Sequence, residues 1–106
     1  MKHTRVRVNE EGMTIDGTSG QGCVVVTYAT LVEAFGEPLE GDGYKTDAEW
    51  VLEAEGITAT IYNWKNGRNY NGPQGGLDVE NIVRWNVGGY DQQAYRLVCR
   101  LLGVRP

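Results

Sequence analysis

The chain has 106 residues, 41% of them hydrophobic and 23% charged, with a formal net charge of −4. That length makes one domain able to bury a core without staples. The charge is too mild for a disordered chain and of the wrong sign for a typical nucleic-acid-binding module. Cys23 and Cys99 are too few for a disulfide framework or a four-ligand zinc site. No apolar run approaches the roughly 20 residues of a membrane span. Met1, Lys2 and His3 lead into an alternating Arg5-Val6-Arg7-Val8 instead of the apolar core of a secretory signal, so a soluble cytoplasmic chain with reduced thiols is expected.

Residues 4–8 place Val6 and Val8 on one face and Arg5 and Arg7 on the other, an edge strand whose charges discourage edge-to-edge pairing. Residues 9–12 read as a turn, 13–15 as a short return strand, and the glycine-rich 17–22 as a loop or tight turn. The GxxGxG spacing there fits neither the dinucleotide fingerprint nor the P-loop. Cys23 and the three valines after it make a buried strand end. Thr27 is placed to cap a short helix over 28–35, with Leu31, Ala34 and Phe35 on one stripe; Gly36 and Pro38 end it. Residues 39–46 are expected as an acidic, glycine-rich loop.

Residues 47–65 organise the rest. Two alternating runs flank Glu55-Gly56 and predict a β-hairpin. Ala48, Trp50, Leu52 and Ala54 share one face, with Ile57, Ala59 and Ile61 as their core partners. Asp47, Glu49, Val51 and Glu53 share the other face with Thr58, Thr60, Tyr62 and Trp64. Burial of these outward rings under a loop or second layer is the ordinary expectation. Residues 65–78, with Asn66-Gly67 and a Gly-Pro-Gln-Gly-Gly run, read as a long loop. A strand follows over 79–87, with Val83, Trp85 and Val87 inward and Ile82, Arg84 and Asn86 outward. Arg84 is expected across from the hairpin's acids, and Gly88-Gly89 breaks the strand. Asp91 caps a last helix over 92–102 whose stripe is Ala94, Leu97, Val98 and Leu101, with Arg96 and Arg100 facing solvent and Gly103 closing it. The order ββαβββα predicts an α+β domain over 1–106: a mostly antiparallel sheet of four to five strands with two short helices on one face.

Catalytic constellations are missing from the pattern. One histidine, His3, and one serine, Ser19, make neither a Ser-His nor a Cys-His pair, and Cys23 and Cys99 read as inert thiols, so no enzyme activity is expected. Asp42, Asp47 and Glu49 offer hard oxygen atoms, but their spacing is not that of an EF-hand; a solvated acidic surface is expected, with no metal and no cofactor. Nothing marks a sugar cleft around a carboxylate pair such as Glu49 with Asp47 or Glu53.

Binding patterns remain. Between residues 37 and 55 seven carboxylates face a single cation, Lys45. Asp42, Tyr44, Asp47, Glu49, Glu53, Tyr62 and Trp64 would form an acidic and aromatic face for a protein partner, the rings supplying contact energy and the charge steering. Alternatively Tyr62, Trp64, Lys65, Arg68 and Tyr70 would hold a nucleotide-like ligand by stacking and phosphate pairing. The same segment has the ingredients for stacking single strands, but the neighbouring acids argue against direct nucleic-acid binding. Homo-oligomerisation through the aromatic face is a third use.

Phe35-Gly36-Glu37-Pro38, the runs 41–50 and 59–65, and Trp85-Asn86-Val87-Gly88-Gly89 together resemble small proteins encoded by bacteriophages, especially those of actinobacterial hosts. The resemblance spans about residues 24–102 and transfers no catalytic residues. It implies a virus-encoded accessory protein made in a bacterial host cytoplasm. The expected function is binding and modulating or inhibiting a host protein, a defence nuclease being one candidate. Ligand sequestration and a virion or assembly role are the alternatives.

Overall fold

The computed structural model describes residues 5–106. Its strands are β1 (Arg7–Val8), β2 (Ser19–Val25), β3 (Leu39–Glu40), β4 (Ala48–Ala54), β5 (Ile57–Tyr62) and β6 (Arg84–Gly89). Its helices are α1 (Tyr28–Phe35), α2 (Arg68–Gly75) and α3 (Gln92–Leu102). The strands form one sheet in the spatial order β1-β4-β5-β6-β2, with β3 also on β4, and every pairing is antiparallel. The α+β class with a mostly antiparallel sheet is the one expected; among the described residues the strands number six instead of four to five and the helices three instead of two.

The β4–β5 hairpin forms where the alternation placed it. Glu55 (φ 55°) and Gly56 (φ 76°) make the two-residue left-handed turn that matches strand twist. The register sets Trp50 opposite Ile61 and Leu52 opposite Ala59, and all four are fully buried. β6 extends these rows with Val87 opposite Ile61 and Gly89 opposite Ala59. The Trp50 and Trp85 rings meet edge to face at 5.5 Å. Their indole N–H groups donate to the carbonyls of Gly36 (2.8 Å) and Ile82 (3.2 Å), so neither polar tip is buried unpaired.

α1 and α3 cover this inner face. Thr27 Oγ1 accepts from the Thr30 N–H at 3.1 Å, and Gly36 follows with φ 82°. Asp91 Oδ1 accepts from the Gln93 N–H at 2.8 Å, and Gly103 closes α3 in the left-handed conformation. Leu31 and Phe35 from α1 and Ala94, Val98 and Cys99 from α3 join the tryptophans in one core.

Several expectations are corrected. Residues 13–15 form no strand, because β1 and β2 lie at opposite edges of the sheet and the chain between them must traverse its outer face. The glycine run 17–22 is not all loop: from Ser19 on it opens β2, with a bulge at Gln21. The loop expected over 39–46 starts as β3. The 65–78 stretch contains α2, two single turns joined at Gly72 (φ 83°) with Pro73 after the kink. Val79–Asn81 form a 3-10 turn, so the last strand starts only at Arg84. That turn shifts the phase: Ile82 is fully buried and Val83 is 51% exposed, the reverse of the expectation. Gly88 and Gly89 remain inside β6. Arg84 lies opposite Val25, on the side away from the hairpin, with its guanidinium 3.8 Å from Cys23 Sγ. His3 and the first residue of the 4–8 strand lie outside the described residues. Among the described residues, no helix is long and apolar enough to cross a membrane.

Candidate functional site

The outer face of the sheet is built by the residues that alternate with the core. Glu49, Tyr62, Asn86 and Cys23 stand in one row across β4, β5, β6 and β2. Val51, Thr60, Gly88 and Gly20 make the next row. The missing side chain at Gly88 opens a hollow: a Cβ there would lie 2.8 Å from Thr60 Cγ2 and 3.5 Å from Tyr62 Cε1. The crossing segment raises one wall over this floor with Ile15, Thr18 and Ser19. The chain from Glu40 to Thr46, together with Trp64, raises the other. Between them lies a cleft of about 420 Å³.

The second wall is fixed by its own sequence. Asp42 Oδ1 accepts from the backbone N–H groups of Tyr44 (2.8 Å), Lys45 (2.8 Å) and Thr46 (3.1 Å). Thr46 Oγ1 in turn accepts from the Asp42 N–H at 2.7 Å. These backbone donors, Tyr44 and Thr46 foremost, hold the Asp42 carboxyl below its ordinary pKa. Gly43, at φ 80°, supplies the left-handed residue in this turn.

Glu49 lies at the floor in the opposite state. Burial pushes its carboxyl above the ordinary glutamate value; the Thr60 hydroxyl, donating at 3.4 Å, opposes this weakly, and the charge of Asp42 adds to the rise. Burial likewise raises the Tyr62 phenol, helped by Cys23 and Glu49. The Tyr62 ring meets Trp64 edge to face at 6.1 Å, and Trp64 is 44% exposed. Glu40, Asp42 and Glu49 thus line one cleft with two aromatic rings, and no lysine or arginine lines it among the described residues. Such a cleft concentrates negative potential and attracts cations.

Asp42, Glu49, Tyr62 and Trp64, four of the candidate partner-binding residues, converge here. The other three do not. Tyr44 packs on Tyr70 at 5.3 Å. Glu53, toward the other end of β4, pairs with Arg7 at 2.8 Å. Asp47 is a structural latch: its carboxylate accepts from Asn63 Nδ2 (2.9 Å) and from the Asn69 N–H (3.2 Å), tying β4 to α2. Fully buried Asn63 completes that latch, its Oδ1 accepting from the N–H groups of Asp47 (2.7 Å) and Ala48 (3.1 Å).

The alternative ligand set is dispersed. Tyr62 lines the cleft, whereas Arg68 pairs with Asp78 at 2.9 Å beside a separate hollow. Trp64, Lys65 and Tyr70 join Tyr44 and Lys45 in a surface ladder. Lys65 Nζ lies 5.6 Å from the Trp64 ring centre and 5.5 Å from that of Tyr70; Lys45 Nζ lies 5.2 Å from that of Trp64. The ladder's own ammonium groups therefore occupy positions over its rings.

Glu40 and Thr60 belong to the cleft and were not among the candidates. Alternation marked Thr60 as outward; no sequence signal announced the two-residue strand that brings Glu40 beside Ala48. Among the described residues, no cluster of three or more His, Cys, Asp or Glu side chains is placed to hold a metal ion. No family model matches the chain, and neither the curated proteins nor the solved structures contain a significant match to it.

Proposed function

We propose that the protein is a binding protein whose outer-face cleft receives a basic segment of a host protein in the bacterial cytoplasm and so modulates or inhibits that protein. The observation that carries this reading is the half-buried Glu49 carboxylate, set beside Tyr62 and Trp64 with no basic side chain in the cleft lining among the described residues. A lysine or arginine from a partner would lay its stem along the Tyr62 ring, which no lysine of the chain covers among the described residues, and bring its cation to Glu49, with Glu40 and Asp42 at the rim. Arginine suits the site better, because its guanidinium is more weakly hydrated and stacks on aromatic faces. A phosphate-bearing ligand would meet three carboxylates there. The basic channel of a nuclease has the complementary charge. The host context rests on the resemblance to phage proteins.

The test is affinity capture from bacterial host lysate with the wild type and with Glu40→Gln/Glu49→Gln, which removes two charges and keeps shape. One host protein held in stoichiometric amount by the wild type, released by raised salt and lost in the variant supports the reading. Equal capture by both proteins, or none by a folded wild type, counts against it.

A further inference from the structure

The fold treats the two edges of its sheet differently. Along the outer edge of β4, β3 pairs with Ala48 and Glu49, and β1 pairs with Leu52 and Glu53. Between them Asn9 closes the gap, its Oδ1 accepting from the Val51 N–H at 2.7 Å and its own N–H donating to the Val51 carbonyl at 2.8 Å. β2 forms the other edge, with β6 as its one strand neighbour among the described residues. The Val26 N–H donates to the Val83 carbonyl at 3.0 Å. Antiparallel alternation then turns the backbone groups of Val24 toward β6 and those of Cys23 and Val25 outward.

Exposed edges are normally blunted by lysine, proline, a bulge or an inward charge. Here a bulge falls at Gln21, whose carbonyl accepts from Gln92 Nε2 at 2.8 Å, so the protection ends before Gly22. Residues 17–32 contain no charged side chain and no proline. Val25 is 73% exposed at the end of this strand.

We infer that β2 pairs antiparallel with the β2 of a second copy over residues 23–25, Cys23 of each copy standing opposite Val25 of the other and Val24 lying on the dyad. β2 itself carries no charge to repel its copy, the nearest cation being Arg84, whose guanidinium lies 3.8 Å from Cys23 Sγ, whereas the basic partner proposed for the cleft finds no carboxylate along this edge. The dyad of such a pair is normal to the sheet, so both outer faces look the same way. The two clefts then lie on one side of a continuous twisted sheet, separated by five strand spacings, about 24 Å, across the strands and by a further offset along them. A partner with two basic segments at that separation would be held bivalently.

The test is sedimentation equilibrium of the full chain from micromolar to about 1 mM protein, with Val25→Lys, Val25→Pro and Glu49→Gln beside the wild type and circular dichroism reporting their folding. Val25→Lys puts a charge on the edge, and Val25→Pro removes an outward N–H. The wild type should pass from monomer to dimer, Glu49→Gln should do the same, and each Val25 variant that keeps the wild-type spectrum should weaken dimerisation at least tenfold. A wild type that stays monomeric throughout, or a dimer that Val25→Lys leaves unchanged, overturns the inference. Cleft binding is scored separately, because Val25→Lys leaves the cleft residues intact.

Discussion

Glu49 carries its charge where water is half excluded, and the consequence has a definite sign. Its pKa is raised in the folded protein, so the native state holds the proton more tightly than the unfolded chain, and its contribution to stability falls as pH rises between the two values. Glu49→Gln should therefore match or exceed the wild type at neutral pH, by less than about 1 kcal/mol after solvent screening. Urea unfolding at neutral pH and near pH 3 should show this difference shrinking in acid. A bound cation favours the ionised form, so partner binding should strengthen as pH rises through the Glu49 titration. Asn63 behaves oppositely on substitution: Asn63→Ala leaves the N–H groups of Asp47 and Ala48 unpaired and should cost about 2–4 kcal/mol in the same unfolding experiment. At this scale the site was half legible. Strict alternation put Glu49 and Tyr62 on one face, and Asp42 and Trp64 lay nearby in sequence. Asp47 looked equivalent to them because its partner Asn63, sixteen positions on, is brought beside it only by the hairpin.

Among the elements, glycine misled most. The pattern puts Gly22 in a loop or turn and makes Gly88-Gly89 a strand break, yet each lies in a paired strand where something packs close: the Tyr95 ring over Gly22, Thr60 beside Gly88, Ala94 over Gly89. A Cβ at Gly89 would lie 2.2 Å from the Ala94 Cβ. Gly89→Ala should push α3 off the sheet and cost about 1–3 kcal/mol, measured by thermal or urea unfolding. The hairpin was legible because its period and its turn agree. α2 was not, because it has no apolar stripe and is held from outside: Asp47 accepts from the Asn69 N–H, and Asn71 Nδ2 donates to the carbonyls of Lys65 (2.8 Å) and Gly67 (3.2 Å). Asp47→Ala should therefore loosen α2 before it affects the sheet. Amide exchange over residues 67–77 should accelerate at least tenfold while the β5 and β6 amides keep their protection. The β6 phase was lost to the 3-10 turn at Val79–Asn81, which no alternation pattern announces.

On the scale of the whole molecule, asymmetry between the faces of the sheet makes a binding surface. α1 and α3 close the inner face around Trp50 and Trp85. Among the described residues the outer face receives the crossing segment and the wall from Glu40 to Thr46, and the cleft is what they leave uncovered. The net charge of −4 understates the local field, because Glu40, Asp42 and Glu49 line the cleft and no lysine or arginine does so among the described residues. Binding of a basic partner should weaken steadily as salt rises past physiological strength, where exposed charges are screened beyond about 8 Å.

The most direct measurement is a nitrogen-15 NMR titration of the protein with a short arginine-containing peptide, repeated with Glu49→Gln and with adenosine diphosphate. The expected result is saturable shifts at Glu49, Thr60, Tyr62 and the Trp64 indole, stronger at neutral than at acid pH and lost in Glu49→Gln, with no saturation by the anionic nucleotide. Saturable nucleotide binding at those positions, or peptide binding unchanged in Glu49→Gln, would contradict a cation-receiving cleft.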